Sequence, residues 1–117
     1  MKKIYYLSTC DTCKRILNAL QPLDGFELQD IKAQAISTEQ LAEMKKLAGS
    51  YEALFSKRAR LYKERSLASQ KLTEDDYKNL LLEHYTFLKR PVILINDTIF
   101  IGNSKQVVAA ARETIHS

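Results

Sequence analysis

Apolar and polar positions alternate along the first third of the chain with two different periods, which predict strands and a helix. Residues 2–7 have the apolar character of a buried strand, and apolar side chains then recur every third or fourth position over 12–20. Residues 26–31 alternate with period two, which predicts a second strand. A strand, a helix and a strand with short connections form a right-handed βαβ unit, so the two strands are expected to be parallel.

The middle of the chain, at about 37–88, has only helical patterns. Ser37 or Thr38 caps one helix, and Ser37 with Gln40 three residues later has the form of a capping box. A second helical pattern covers 51–65, in one piece or two, and Thr73 begins a third helix. This segment is therefore predicted to be a helical insertion between the two halves of a sheet.

The last part of the chain predicts a hairpin and a final helix. Residues 92–95 and 98–101 are apolar strands, separated by a two-residue turn, Asn-Asp. Ser104 is expected to cap the last helix. The whole order, βαβ, helices and then ββα, predicts an α/β, thioredoxin-like fold with a four-stranded mixed sheet. We expect one domain, residues 1–117, with its insertion at about 37–88.

The composition is that of an ordinary soluble globular protein, with 45% hydrophobic and 27% charged residues in a chain of 117. No apolar run approaches the roughly 20 residues that a membrane span needs. The N-terminus has no signal-peptide pattern, so a cytoplasmic protein without membrane contact is expected. The formal net charge is only +4, and the basic run at 57–65 is interpreted as a solvated helix face. Direct nucleic-acid binding is therefore not expected.

Two cysteines, Cys10 and Cys13, stand where the first strand meets the first helix. A helix N-terminus has unpaired N–H groups and a partial positive charge, which lower the pKa of a thiol placed there. Cys13 has the helical phase of the apolar face and is expected to be buried, whereas Cys10 precedes the first turn. We therefore assign Cys10 as the nucleophile and Cys13 as the resolving thiol.

The alternative for the two cysteines is half of a zinc site. A tetrahedral zinc ion would need two further ligands, and the chain has no other cysteine and only His84 and His116. His84 is interpreted as a histidine packed in the core, and His116 as part of a frayed tail. No metal is expected. In a reducing cytosol, a Cys-x-x-Cys pair is more often catalytic than structural.

Four segments together resemble one family. They are Ser-Thr-Cys-Asp-Thr-Cys-Lys-Arg at 8–15, Leu-Phe-Ser-Lys-Arg-Ala-Arg-Leu-Tyr-Lys at 54–63, Leu-Lys-Arg-Pro-Val-Ile at 88–93 and Ile-Phe-Ile-Gly at 99–102. In this combination the chain resembles the ArsC/Spx family, which includes glutaredoxin-linked arsenate reductases and the Spx transcription regulators. The resemblance spans essentially the whole chain.

The resemblance implies a site around Cys10. It makes Cys10 the nucleophile, gives Arg90 the role of binding an oxyanion, and matches Pro91 to a proline that follows a cis peptide bond. Among the mid-chain arginines, Arg58 matches best, and its phase agrees if 54–62 is one helix, which would point Arg60 away.

Two further cations are candidates for the oxyanion site. Arg60 is the alternative to Arg58 in the middle of the chain. Lys105 lies just after the last strand, where the reductases have an arginine, and it supplies a charge without the planar fork of a guanidinium.

These features predict a thiol-disulfide or oxyanion reductase resembling arsenate reductase, with a small oxyanion or a disulfide as substrate. No tightly bound cofactor is implied, and glutathione with glutaredoxin, or thioredoxin, is the expected external reductant. We expect a monomer. The rival hypothesis is an Spx-like redox sensor that binds RNA polymerase, since this chain has a second cysteine as the Spx proteins do. A third hypothesis is a pseudo-enzyme that retains only the fold.

Overall fold

The computed structural model describes every residue of the chain, Met1–Ser117. Its strands and helices follow in the order β1 (Lys2–Tyr6), α1 (Asp11–Leu20), β2 (Glu27–Asp30), α2 (Thr38–Ala48), α3 (Arg60–Glu64), α4 (Glu74–Glu83), β3 (Val92–Ile95), β4 (Thr98–Ile101) and α5 (Lys105–His116). Short 3₁₀ turns occur at Glu52–Leu54, Leu67–Ser69 and Tyr85–Phe87. None of the helices combines the length and the apolar character needed to cross a bilayer.

The chain divides into two compact units. The first consists of Met1–Gln34 together with Arg90–Ser117, and the second is Ala35–Lys89. The first unit holds all four strands with α1 and α5, and the second holds the remaining helices. The expectation that 1–117 form a single domain with an insertion at about 37–88 stays a prediction.

The sheet of the first unit has the strand order β2-β1-β3-β4. β1 pairs in parallel with β2 and antiparallel with β3, and β3 pairs antiparallel with β4. At the centre of β1, Ile4 lies opposite Leu28 on one side and Ile93 on the other. This arrangement confirms the predicted α/β, thioredoxin-like fold with a four-stranded mixed sheet. It also places the start of β3 beside the end of β1.

A core between the sheet and two helices fixes the position of α1. Its fully or nearly fully buried members are Ile4, Ile16, Leu17, Leu20, Ile93, Ile95 and Ala111. Burying one such aliphatic side chain stabilises the fold by about 1.5–3 kcal/mol. The phase predicted for α1 is confirmed, because its buried residues are Cys13, Ile16, Leu17 and Leu20.

The predicted hairpin and final helix are also found in the first unit. Asn96 has φ 54°, which suits the tight turn between β3 and β4. The Ser104 hydroxyl accepts a hydrogen bond of 3.2 Å from the Val107 N–H and so caps α5.

In the second unit, two helices begin as the sequence predicts. The Ser37 hydroxyl accepts from the Gln40 N–H at 3.0 Å, and the Gln40 side chain accepts from the Ser37 N–H at 3.0 Å. Thr73 and Asp76 form the same reciprocal pair at the start of α4, with distances of 2.8 and 3.2 Å. Each capping box satisfies N–H groups that the first helical turn leaves without a helical partner.

The stretch predicted as helical at 51–65 contains two short helical pieces and an extended link. Phe55 is extended and forms an isolated antiparallel bridge with Leu88. The Ser56 N–H donates to the Phe87 carbonyl at 2.7 Å, and the Lys89 N–H donates to the Leu54 carbonyl at 2.9 Å. These bonds to a distant segment prevent a continuous helix.

The helical phasing used for Arg58 is therefore wrong. Arg58 lies in the turn that follows the bridge, before α3 begins at Arg60.

The packing of the Phe55 ring fits the extended backbone of this link. The ring stacks on Phe87 with 5.2 Å between ring centroids and meets Tyr77 edge to face at 4.9 Å. The local apolar pattern does not reveal this pairing, since its partners lie more than 20 residues away.

Both histidines differ from their predicted settings. His84 ends α4 instead of lying on its buried face; it is half-buried, and its Nδ1 accepts from the Thr86 N–H at 3.0 Å. His116 is the last residue of α5 and not part of a frayed tail, because its Nε2 lies 2.9 Å from the Leu20 carbonyl oxygen. This contact joins the C-terminal ends of α5 and α1.

We predict that His116→Ala lowers the free energy of unfolding by about 1 kcal/mol, the usual net contribution of one hydrogen bond. The loss follows because the Leu20 carbonyl at the end of α1 would lose its imidazole partner. Urea unfolding followed by circular dichroism measures the change. Glu113→Ala, an exposed change in the same helix, is the control, and equal midpoints for the two variants would contradict the stabilising role.

Candidate functional site

Cys10 occupies the N-cap position of α1. Its backbone is extended (φ −97°, ψ 111°), and its carbonyl accepts the first helical hydrogen bond from the Lys14 N–H at 3.2 Å. The Cys10 N–H donates back to the Leu7 carbonyl at 3.0 Å, which closes a tight turn between β1 and α1. The Cys10 side chain is half-buried and thus retains access to solvent.

The surroundings of Cys10 favour its thiolate. Partial burial acts against ionisation, but the Cys13 N–H, the Cys13 thiol and the Arg90 guanidinium together outweigh it, so the pKa of Cys10 lies below its ordinary value. The sulfur makes no regular capping hydrogen bond, yet the N–H of Cys13 in the first helical turn is near enough to stabilise negative charge. This is the environment expected of a reactive cysteine.

Cys13 has the opposite character. It is completely buried on the face of α1 that packs against the sheet. Burial, with a smaller contribution from the neighbouring Cys10, raises the pKa of Cys13 to about 11, although the Leu7 backbone and Arg90 act in the other direction. At neutral pH Cys13 is therefore a protonated thiol in contact with a neighbouring sulfur that ionises more easily.

Arg90 reaches Cys10 because of the sheet order. In the pairing of β1 with β3, Tyr5 lies opposite Val92, so the residues just before β3 lie beside those just after β1. Arg90 is half-buried there, and its guanidinium lowers the pKa of both cysteines. The peptide bond between Arg90 and Pro91 is cis, and the Pro91 carbonyl accepts from the Gly102 N–H at 2.9 Å.

A carboxylate that the sequence did not single out also belongs to this region. Asp30 ends β2, and its Oδ1 accepts from the Ser8 N–H at 3.1 Å and from the Lys32 N–H at 3.2 Å. Ser8 lies in the turn that carries Cys10. The available signal was positional, since the carboxyl ends of two parallel strands meet at one edge of the sheet and place Asp30 next to the turn.

The first unit thus brings together Cys10, Cys13 and Arg90. Lys105 belongs to the same unit and lies exposed in the first turn of α5, and its part in anion binding stays a prediction. Nowhere in the chain do three or more His, Cys, Asp or Glu side chains form a group that could hold a metal ion.

Arg58 and Arg60 belong to the second unit. Both are exposed, and the Arg60 side chain retains 86% of its accessible surface while its Nε lies 3.4 Å from a Glu64 carboxylate oxygen. An exposed ion pair of this kind contributes roughly 0–1 kcal/mol. The predicted role of either arginine in holding an oxyanion stays a prediction.

The basic run at 57–65 is partly balanced by acidic neighbours within the second unit. The Lys57 ammonium lies 2.9 Å from a Glu52 carboxylate oxygen, and Arg65 pairs with Glu83. Arg65 also lies over the Phe87 ring at 5.8 Å. These pairs fit a solvated, ion-paired surface and offset much of the positive charge that a nucleic-acid site would use.

Comparison with known proteins gives a family and a fold. The sequence model of the ArsC family matches residues 5–111. No curated protein sequence matches the chain.

Solved structures with this fold come from several bacteria. An arsenate reductase from Vibrio cholerae is 21% identical, with a TM-score of 0.78 and coverage of 94% of this chain and 96% of that one. An arsenate reductase (ArsC) related protein from Brucella melitensis is 22% identical, with a TM-score of 0.70 and coverage of 93% and 92%. A protein from Staphylococcus aureus is 24% identical, with a TM-score of 0.75 and coverage of 94% and 97%. At these identities the likeness establishes the shared fold.

We predict that iodoacetamide modifies Cys10 far faster than Cys13 at neutral pH. The thiolate is the reactive form, and with a pKa of about 11 only about one Cys13 in ten thousand is ionised at pH 7. The alkylation rate of Cys10 should rise with pH and level off at a lower pH than the rate of an unperturbed cysteine does. The alkylation rate of Cys13 should still be rising near pH 10. Peptide mass mapping gives both rates.

Single-cysteine variants provide the matched control for this measurement. Cys13→Ser leaves Cys10 as the only thiol, and Cys10→Ser leaves Cys13. The assignment of the two roles is reversed if the Cys10→Ser protein is alkylated faster than the Cys13→Ser protein at pH 7 with both folded.

Proposed function

The chain belongs to the ArsC family, and we propose that it is a thiol-dependent reductase with Cys10 as its nucleophile. The observation that carries this proposal is the placement of Cys10 at the N-terminus of α1 beside Arg90, where the pKa of Cys10 is lowered. A lowered pKa gives Cys10 more thiolate than an ordinary cysteine has, and a thiolate next to a guanidinium is suited to attack an electrophile that carries negative charge.

In the proposed first step, the Cys10 thiolate attacks arsenic(V) of arsenate. A sulfur–arsenic bond forms while one arsenic–oxygen bond breaks, and the departing hydroxyl takes a proton from solvent and leaves as water. Arg90 offsets the charge of the oxyanion through charge-assisted hydrogen bonds, which the planar guanidinium can make in pairs. By the family resemblance, Arg58 is the second cation, with Arg60 and Lys105 as further candidates. No electrons are transferred in this step.

In the second step, Cys13 resolves the adduct. The Cys13 thiol loses its proton to the departing oxyanion, and its sulfur attacks the Cys10 sulfur. The electron pair of the sulfur–arsenic bond goes to arsenic, which is reduced from the +5 to the +3 state, while two thiols become one disulfide. The Cys10 thiolate raises the pKa of Cys13 through a hydrogen bond and through its charge. Adduct formation removes both effects of the sulfur, and Arg90 offsets the charge that the oxyanion brings, so Cys13 becomes easier to ionise.

An external reductant completes the cycle. Two electrons and two protons from glutathione with glutaredoxin, or from thioredoxin, convert the disulfide back to two thiols. Glutathione can also replace Cys13 as the attacking thiol in the second step, which then gives a mixed disulfide on Cys10. No tightly bound cofactor takes part in this scheme, and a monomer in the cytoplasm, with its reducing thiol pool, suits it.

The same site suits a disulfide substrate. The Cys10 thiolate would attack one sulfur of the substrate and release the other as a thiolate, leaving a mixed disulfide. Cys13 would then attack the Cys10 sulfur and release the second substrate thiolate, which leaves a disulfide between Cys10 and Cys13. Comparing turnover of arsenate with that of a small disulfide distinguishes the two substrates.

A second function uses the same two cysteines as a sensor. The side-chain contact between Cys10 and Cys13, with their opposite pKa shifts, favours a disulfide that forms on oxidation and changes the surface around α1. An Spx-like regulator that binds RNA polymerase would use this disulfide as its switch. Retention on a polymerase column that depends on oxidation, together with no arsenate or disulfide turnover, would favour the sensor.

We predict that Cys10→Ser lowers arsenate turnover by roughly a thousandfold or more, because the hydroxyl cannot replace the thiolate as nucleophile. The assay couples arsenate reduction to glutathione, glutaredoxin and NADPH oxidation. The exposed change Ser117→Ala is the control and should leave the rate unaltered. Equal turnover in the wild type and in Cys10→Ser would remove Cys10 from the mechanism.

We predict that mild peroxide closes a disulfide between Cys10 and Cys13 within one chain. The two thiols are already in contact, and the chain has no third cysteine to compete. Non-reducing electrophoresis with peptide mapping distinguishes this product from a disulfide-linked dimer. A dimer as the main product in the wild type would rule out Cys13 as the resolving thiol.

We predict that Arg90→Lys weakens oxyanion binding about tenfold, because lysine retains the charge but loses the paired hydrogen bonds. The measurement is the sulfate or arsenate concentration that halves the rate of Cys10 alkylation. Arg112→Lys, exposed on α5, is the control and should leave this concentration unchanged. Arg58→Lys and Arg60→Lys in the same assay test the mid-chain candidates. If Arg90→Lys behaves like the control, Arg90 holds no oxyanion.

A further inference from the structure

We propose that Asp30 is a positioning residue that holds the turn carrying Cys10 in the geometry that stabilises its thiolate. The inference rests on the proposed function, since it concerns the reactivity of the same cysteine. It adds a residue at the end of β2 to the site, which otherwise consists of the two cysteines and the candidate cations.

The contacts of Asp30 join two segments that are distant in sequence. Its Oδ1 accepts from the N–H of Ser8, 22 residues away, and from the N–H of Lys32, two residues away. The Ser8 hydroxyl also interacts with this carboxylate. One side chain thus connects the start of the Cys10 turn to the chain that leaves β2.

The strand pairing explains why the turn needs such an anchor. Tyr6 and Asp30 are the last paired residues of the parallel strands, and the Ile31 N–H donates to the Tyr6 carbonyl at 2.9 Å. Beyond this point the turn has left the strand, so the Ser8 N–H no longer has a strand carbonyl as its partner. The Asp30 carboxylate accepts from this N–H in place of a strand carbonyl.

The turn held by Asp30 also sets the position of the Cys10 sulfur. Cys10 is two residues after Ser8, and its N–H closes the turn onto Leu7. The groups that stabilise the thiolate, the Cys13 N–H and Arg90, sit on α1 and before β3, outside the turn. If the turn moves relative to them, their contacts with the sulfur lengthen and their stabilisation of the thiolate falls.

The charge of Asp30 and its hydrogen bonds are expected to change the pKa of Cys10 in opposite directions. The Ser8 hydroxyl, the N–H groups of Ser8 and Lys32 and the Lys32 charge outweigh partial burial and lower the pKa of Asp30, so it is an anion at neutral pH. An anion near the site disfavours a second negative charge at Cys10. A positioning role and a purely electrostatic role therefore predict opposite shifts in the titration of Cys10 when Asp30 is truncated.

The test is the pH profile of Cys10 alkylation in otherwise wild-type protein, read by peptide mass. Asp30→Ala removes the acceptor and should move the midpoint upward by about one pH unit, with roughly tenfold slower alkylation at neutral pH. Asp30→Asn retains an oxygen that can accept from Ser8 and lacks the charge, so its midpoint should equal or fall below that of the wild type. Asp24→Ala, a change at an exposed aspartate in a loop, should leave the profile unaltered.

The opposite results overturn the proposal. A midpoint that falls in both Asp30 variants means that the carboxylate acts only by its charge, and an unchanged midpoint in folded Asp30→Ala means that the turn needs no anchor. If Asp30→Ala does not fold, Asp30→Glu decides, because it keeps the charge but moves the acceptor away from the Ser8 N–H, so it must still raise the midpoint. Alkylation reports on Cys10 even in a protein that turns over no substrate, so failure of the proposed reductase and failure of this inference are distinct outcomes.

Discussion

The site depends on one physical requirement, which is that a thiolate must gain more from nearby donors and cations than it loses in hydration. Cys10 is partly buried, and that alone would raise its pKa. The N-terminus of α1 and Arg90 reverse the sign of the shift, and each reaches the sulfur for a different structural reason. α1 begins at Asp11, the next residue after Cys10, whereas Arg90 arrives from the far end of the sequence through the antiparallel pairing of β1 with β3.

The two cysteines show how one helix can give neighbouring thiols different chemistry. Three residues of separation place Cys10 before the first turn and Cys13 on the buried face, so desolvation acts much more strongly on Cys13. Their titrations are linked, because negative charge on Cys10 opposes ionisation of Cys13. This linkage suits a sequence of two steps, in which the second thiol becomes available only after the first has reacted.

The features that the sequence predicts well are those encoded within a few residues. The buried phase of α1, the capping box at Ser37, the helix start at Thr73 and the turn at Asn96 each depend on local spacing, and each is found. The failures share a different origin. The extended backbone at Phe55 depends on a pairing with Leu88 across the second unit, a contact between segments that the local pattern does not connect.

The same reasoning separates the parts of the site by how far they could be predicted. Cys10 and Cys13 are visible in the motif, and Arg90 follows from the family resemblance. Asp30 was missed, because it acts through the backbone N–H of Ser8, 22 residues away. Outside the site, His116 was wrongly assigned to a frayed tail for the same reason, since its partner is the Leu20 carbonyl, 96 residues away. A polar residue at the end of a strand or helix carries no local mark of such a contact, and only the tertiary arrangement assigns it a partner.

The candidate cations differ in how far they are exposed to solvent. Arg90 is half-buried, and its effect on both cysteines follows from where β3 starts beside β1. Arg60 is almost fully exposed and has an acidic neighbour on its own short helix, so its charge is largely screened by water and by Glu64. A guanidinium acts strongly on a thiol where water is partly excluded, and this physical difference explains why Arg90 lowers the pKa of Cys10.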